Sequence, residues 1–316
     1  MSAPRQLQCH VFTNPQQGAS YDEVATTAKA VEELGLDGFF RSDHFLAMAD
    51  AAGLPGPTDT WVTLGALARE TRRIRLGSLM TSATFRHPGL LAVTVAQVDQ
   101  MSNGRVDFGF GTGWHEPEHR AYGVPYPALG ERFDRFEEQL DIITGLWDTP
   151  QGELFTHHGR HYRLTDAPGL PKPVQSHPPI IIGGTGPTRT PRLAARYADE
   201  FNYAFPTLTE IAEQGARVDA ACEKAGRAPS SLRRSAVVLL VCGRDSAEVA
   251  RRAEPVGGLF TTQMMERGLV GSPTQVVDRI GELAEAGISR LYLQTPHQFD
   301  VDHLAYFSHH ILPQLD

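Results

Sequence analysis

Short apolar runs alternate along this chain with longer amphipathic stretches, and the alternation persists almost from end to end. Residues 8–12, 37–40, 74–80, 105–110, 179–182, 200–204, 236–241 and 288–293 read as strands, being brief, apolar and often β-branched or aromatic. The intervening segments 21–34, 60–71, 88–101, 131–147, 191–197, 208–225, 273–286 and 301–315 read as helices. Val24, Ala28 and Val31 form one apolar stripe, Thr58 or Asp59 suits the cap before residue 60, and Pro88 suits a first helical turn. Gly35 and Gly287 stop helices, and Asn103-Gly104 is a turn. The rhythm breaks over 150–179, rich in Gly, Pro and His, which reads as a hairpin or irregular insertion, and over 243–272, an irregular loop with some helix.

Eight strands alternating with helices predict an α/β chain folded as a (β/α)8 TIM barrel, one domain over 1–316 with those two insertion segments. A doubly wound sheet is the alternative, but it rarely uses eight sequential units. No internal repeat or low-complexity tract interrupts the pattern. In parallel α/β folds chemistry collects where strands end and loops begin, so the residues after each strand are the candidates.

Composition narrows the classes. The 316 residues carry a net charge of −8, with 41% hydrophobic and 21% charged residues and the Lys and Arg scattered. That describes an ordinary globule with no basic stripe for nucleic acid or an anionic membrane. Cys9, Cys222 and Cys242 are far apart and make no CxxC, against both a disulfide framework and a thiolate metal site. The first residues lack an apolar signal core, and no apolar run approaches the ~18 residues of a membrane span. A soluble cytoplasmic protein acting on a small molecule is expected.

The strand at 37–40 opens into Ser42-Asp43-His44-Phe45, a carboxylate and an imidazole at the chemical edge. The same letters suit a helix N-cap by Ser42 or Asp43 with His44 on the surface. The strand at 179–182 runs into Gly183-Gly184-Thr185-Gly186, then Pro187-Thr188-Arg189 and a helix. Bare glycines admit an anion to backbone N–H groups, the helix start adds positive potential, and Thr185, Thr188 and Arg189 offer further donors. It is neither a P-loop nor a dinucleotide fingerprint; a tight turn needing glycine is the plainer reading. The stretch Leu79-Met80-Thr81-Ser82 is small and polar, suited to a wall for a flat ring, while Arg86 and His87 beyond it read as solvated side chains. Gly109 to Arg120 offers Trp114 and His115 for stacking and proton transfer. His115-Glu116-Pro117-Glu118-His119 has the letters of a zinc helix, but Pro117 inside that helix argues against two imidazoles on one metal, so no metal is expected. His157, His158 and His161 read as surface residues.

Together these segments resemble the bacterial luciferase-like superfamily of flavin and deazaflavin oxidoreductases. The likeness rests on Ser42-Asp43-His44-Phe45, on Gly77-Ser78-Leu79-Met80-Thr81 with Phe85-Arg86-His87-Pro88, and on Gly111-Thr112-Gly113-Trp114 with Glu118 to Gly123. Leu129 to Phe133, the loop at Gly183 and Gly271-Ser272-Pro273 complete it. It covers nearly the whole chain in family order. The resemblance implies a TIM barrel, usually dimeric, with cofactor in its C-terminal mouth and the cofactor phosphate at 183–186. It also implies a bulge with a non-proline cis peptide behind the ring, placed at Leu79-Met80, so that Leu79, Met80 and Thr81 join the glycines as cofactor-binding residues.

The Asp43-His44 pair resembles the deazaflavin branch, which implies coenzyme F420 and hydride transfer, with FMN and oxygen activation as the alternative. His44 would be a general acid or base, and Asp43 would bond the cofactor or orient the imidazole. Relatives that oxidise sugar phosphates carry a catalytic glutamate about where Trp114 stands; Glu116 is the substitute here, with His10, Trp114 and His115 walling the substrate pocket. A flavin-binding protein without catalysis is a third reading.

Overall fold

The computed structural model describes residues 7–49, 51–254 and 261–315. In chain order the elements are β1 (Gln8–Thr13), α1 (Tyr21–Glu33), β2 (Gly38–Arg41), α2 (Thr60–Glu70), β3 (Arg75–Ser82), α3 (Pro88–Ser102), β4 (Val106–Gly111), α4 (Glu116–Tyr122) and α5 (Leu129–Asp148). They continue with β5 (Phe155–His158), β6 (Arg163–Ala167), β7 (Ile180–Gly183), α6 (Arg189–Tyr197), β8 (Glu200–Ala204), α7 (Leu208–Lys224) and β9 (Arg233–Cys242). The last are α8 (Ser246–Ala253), α9 (Thr262–Arg267), β10 (Leu269–Gly271), α10 (Pro273–Glu285), β11 (Arg290–Gln294) and α11 (Val301–His310).

Parallel pairing runs β1, β2, β3, β4, β7, β8, β9, β11 and back to β1, which closes an eight-stranded barrel, with β10 added beside β9. The expected insertion is a hairpin, β5 antiparallel to β6. The irregular loop at 243–272 holds α8, α9 and β10, and its residues 255–260 lie outside the described ones.

Local chemistry sets the element ends. Ser20 with Glu23, Thr207 with Glu210 and Ser272 with Gln275 form capping boxes before α1, α7 and α10. The Asp59 carboxylate accepts from the Trp61 and Val62 amides at the start of α2. One helix departs from expectation. Pro117 does not break a helix after β4, because α4 begins at Glu116 and the proline lies in its first turn, where no amide is needed.

Period-two alternation stacks the barrel interior in layers. At the N-terminal end Gln8, Asp107, Glu200 and Arg290 interlock: Arg290 donates to Glu200 (2.6 Å), Asp107 (3.0 Å) and Gln8 (2.7 Å). Asp107, Glu200 and Arg290 are buried and Gln8 is half-buried, and Arg75 reaches the same Asp107 from outside. One step up each strand, His10, Phe40 and Tyr292 pack ring on ring, with centroids 4.9 to 5.4 Å apart. Gly77 belongs to that layer; a β-carbon there would come within 2.3 Å of the Phe40 ring. A further step brings Phe12, Ser42, Leu79 and Gln294 to the wall of a cavity at the C-terminal mouth.

The β3–β4 register shifts between Ser78 and Thr81, and the Leu79–Met80 peptide is cis, at the position that the family resemblance implies. The Ser78 hydroxyl donates to the Gly109 carbonyl (3.0 Å) and lies 2.7 Å from that of Thr81, which keeps the bulge's polar atoms satisfied.

Candidate active site

The mouth cavity has a volume of about 470 Å³, and every barrel strand but β2 contributes to its wall, β2 doing so through the loop that follows it. Asp43, His44, Leu79, Met80, Thr81, Trp114, Gly183 and Gly184 all line it. The sequence expectations for these eight thus converge on one space.

His44 sits on the loop after β2, with its side chain 16% exposed. Its Nδ1 is 2.8 Å from Oε1 of Glu118, and the other Glu118 oxygen accepts from the Phe45 amide at 2.9 Å. The carboxylate therefore grips both the ring and the backbone beside it. Burial pushes the Glu118 carboxyl up, but the hydrogen bond and charge of His44, the Phe45 amide and His115 outweigh that and hold it below the usual carboxylate range. An ionised Glu118 can only accept, so Nδ1 carries a proton, and it is the neutral ring of that tautomer that presents the Nε2 lone pair. The ring of Trp114 meets that of His44 edge-on at 5.5 Å, and Trp114 is itself 64% exposed at the mouth.

Asp43 does not orient this imidazole. It is buried, and its carboxylate takes two hydrogen bonds from Arg86 (2.6 and 3.1 Å) and one from the Ser82 amide (3.2 Å). Arg86 also reaches Asp59 at 2.7 Å. The guanidinium is thus not the solvated group that its loop position suggested; it ties β2, the start of α2 and the end of β3 together. Asp43→Ala strands Arg86 with Asp59 alone, and an unfolding free energy lower by about 2 kcal/mol is expected in urea melts, below the range for fully buried pairs because Arg86 keeps one partner.

His10, Glu116 and His115, all expected at the site, do not line the cavity. His10 is fully buried in the middle layer, below the cavity rather than on its wall, because two residues along β1 is one layer of the barrel. Neither of its ring nitrogens has a hydrogen-bond partner among the described residues. Burial, then Arg290, Arg75 and Arg233, pull its pKa well below the ordinary value, so it stays neutral. Glu116 opens α4 on the exposed surface, and Glu118, half a turn on, points inward in its place. His115 stands at the N-cap position of α4, with no side-chain cap bond, and does not line the cavity; its ring lies 6.0 Å from that of His44.

His119 has both ring nitrogens engaged. Nδ1 lies 2.8 Å from the His115 carbonyl oxygen, to which it donates, and Nε2 lies 2.6 Å from the Thr84 hydroxyl. The zinc-like letters thus lie at a helix start, and among the described residues no group of three or more His, Cys, Asp and Glu is placed to hold a metal ion. His157 pairs with Glu138 of α5 at 3.2 Å.

At the opposite wall, Gly183 and Gly184 leave β7 with their carbonyl side pinned by α7: Gln214 donates to the carbonyls of Gly184 (3.2 Å) and Gly186 (3.0 Å). Gly184 has φ +136°, and a β-carbon on Gly183 would lie 2.5 Å from the Asn202 carbonyl oxygen. Thr188 makes no side-chain cap, leaving the first amides of α6 without a side-chain acceptor. Thr185 and Gly186 lie beside the cavity and not on its wall, and Arg189 turns away to Asp134 (2.6 Å). A loop without side chains and an uncapped helix start beside the Leu79-Met80-Thr81 wall fit a cofactor with an anionic tail.

A family model described as luciferase-like monooxygenase matches residues 6–267. An F420-dependent glucose-6-phosphate dehydrogenase of Microbacterium testaceum (strain StLB037) is 36% identical over 181 residues, which cover 57% of this chain and 52% of that one. This match thus spans about half of the relative's length. The protein of the same name from Beutenbergia cavernae is 29% identical over 330 residues, covering 95% of each chain. Among solved structures, an F420-dependent secondary alcohol dehydrogenase in complex with an F420-acetone adduct superposes with a TM-score of 0.81 at 20% identity, over 98% of this chain and 99% of that one, a likeness of fold.

Proposed function

The chain belongs to the luciferase-like monooxygenase family, and from that membership we propose that it is a coenzyme F420-dependent oxidoreductase acting on a small organic substrate. The names of its relatives support the cofactor. The observation that carries the chemistry is the His44–Glu118 pair, an imidazole on the cavity wall whose Nδ1 proton is fixed and whose Nε2 is open. Leu79, Met80 and Thr81 would back the deazaflavin, and Gly183 and Gly184 with the start of α6 would take its phosphate. When bound, the deazaflavin exchanges a hydride with substrate carbon, so an alcohol that gives up that hydride and its hydroxyl proton becomes a carbonyl. His44 takes the proton at Nε2 in that direction and returns it in the other, while Glu118 stabilises the imidazolium. Asp43 and Arg86 hold the loop that carries His44 in place.

Titration of the apoprotein with F420 and, separately, with FMN tests the reading by calorimetry and by quenching of cofactor fluorescence. F420 is expected to bind at least tenfold more tightly. Tighter binding of FMN, with oxygen consumed by the reduced complex, would replace the proposal with a monooxygenase.

A further inference from the structure

We propose that the alcohol or carbonyl compound handled at this site is uncharged and carries no phosphate, with an apolar body seated against Phe12, Trp114, Phe205, Val237 and Met264. The proposal rests on the F420 reading of the same cavity and narrows it to a substrate class.

Charge decides the point. No Lys or Arg is among the described residues that line the cavity. Its ionisable wall residues are Asp43, Glu118 and His44, so the carboxylates outnumber the imidazole. The guanidinium groups nearest the wall reach it from behind, at backbone carbonyls or at Asp43: Arg86 is bound to Asp43 and Asp59, Arg41 to the Ser42 carbonyl and Thr58, Arg132 to the Gly113 carbonyl, and Arg267 to the Phe205 carbonyl and Glu210. A phosphate dianion entering this cavity would lose its hydration beside two carboxylates that already hold their partners and gain no Lys or Arg on the described wall in return. The glycine loop with the uncapped start of α6 suits an anion, and the cofactor phosphate takes it in this reading.

The remaining wall favours an apolar body. Aromatic and aliphatic side chains face the space, and Met48, Met80 and Met264 give it an adaptable lining. Trp114, 64% exposed, offers a large ring that a seated ligand would cover. The polar remainder of the wall is neutral, with Asn14, Asn202 and Gln294 among it. One hydroxyl or carbonyl oxygen at Nε2 of His44 meets the open ring nitrogen. In the oxidative direction the carbinol carbon yields its hydride to the oxidised deazaflavin and the hydroxyl proton passes to Nε2, leaving a ketone or aldehyde and reduced cofactor.

The test uses the F420-loaded enzyme with 2-propanol, cyclohexanol and cyclohexanone against glucose and glucose 6-phosphate. Loss of F420 fluorescence reports oxidation of an alcohol or sugar, its recovery from enzyme loaded with reduced F420 reports reduction of cyclohexanone, and calorimetry with cofactor bound reports affinity. Binding and turnover of the uncharged alcohols, with kcat/KM at least a hundredfold above that for glucose 6-phosphate, is the expected result. Trp114→Ala should weaken cyclohexanol binding at least fivefold with little change in F420 affinity. Failure of all the uncharged apolar compounds to bind, or preferred turnover of either sugar, overturns the substrate class and leaves the cofactor reading standing. Failure of F420 itself to bind overturns both.

Discussion

Replacing His44 with alanine is expected to lower turnover by about 10²–10⁴-fold while leaving the F420 dissociation constant within a few-fold of the parent value, the usual contribution of a positioned general acid or base. The split between rate and affinity follows from the site. The imidazole touches the cavity through an edge whose open atom is Nε2, and its other nitrogen is spent on Glu118. Nothing in the barrel is built on this ring, which sits 16% exposed on a loop, so the variant should fold. Steady-state rates with a turned-over alcohol and an equilibrium titration with F420 check the expectation. A variant as fast as the parent would remove His44 from the chemistry.

Glu118→Gln should cost nearly as much, about 10²–10³-fold in kcat, by a different route. A glutamine amide can donate to Nδ1, which moves the ring proton to Nε2 and leaves no base facing the cavity. The same exchange of carboxylate for amide behind a catalytic imidazole costs about 10⁴ in serine proteases, and the smaller figure here reflects a substitution in a site where hydride transfer shares the barrier. Glu118→Asp, which keeps the charge, should recover part of the rate, an outcome that a packing defect would not give. The carboxyl also sets an acid limit. Its pKa is depressed in the folded protein, so the stabilisation it provides is complete above the ordinary value of 4.5 and is lost as pH falls through the lower, folded value. The parent should hold its unfolding midpoint in urea down to about pH 4.5 and lose it below; the Gln variant should lack that component of the decline.

Much of the barrel was legible because each strand is short, apolar and closed by a turn signal, and strand order follows from closure. The cavity residues Asp43, His44, Trp114, Gly183 and Gly184 were legible for the same reason: they stand directly after strands. Glu118 was not. Pro117 seemed to break the segment, whereas a proline in the first turn marks a helix start and turns the next glutamate inward. Arg86 was missed because pairing with Asp43 spans 43 residues and leaves no local trace. His10 was misplaced by one layer. Gln8, His10 and Phe12 share a face, and only the last of them stands at the cavity wall.

The interlocked charges at the N-terminal end give the barrel one more property. Arg290, Glu200, Asp107 and Gln8 form a stopper with the aromatic layer stacked above it, so the interior is a blind tube. Two molecules that share a blind tube pass through one doorway. The one seated deeper enters first and departs last, and protons released at His44 leave by the same opening.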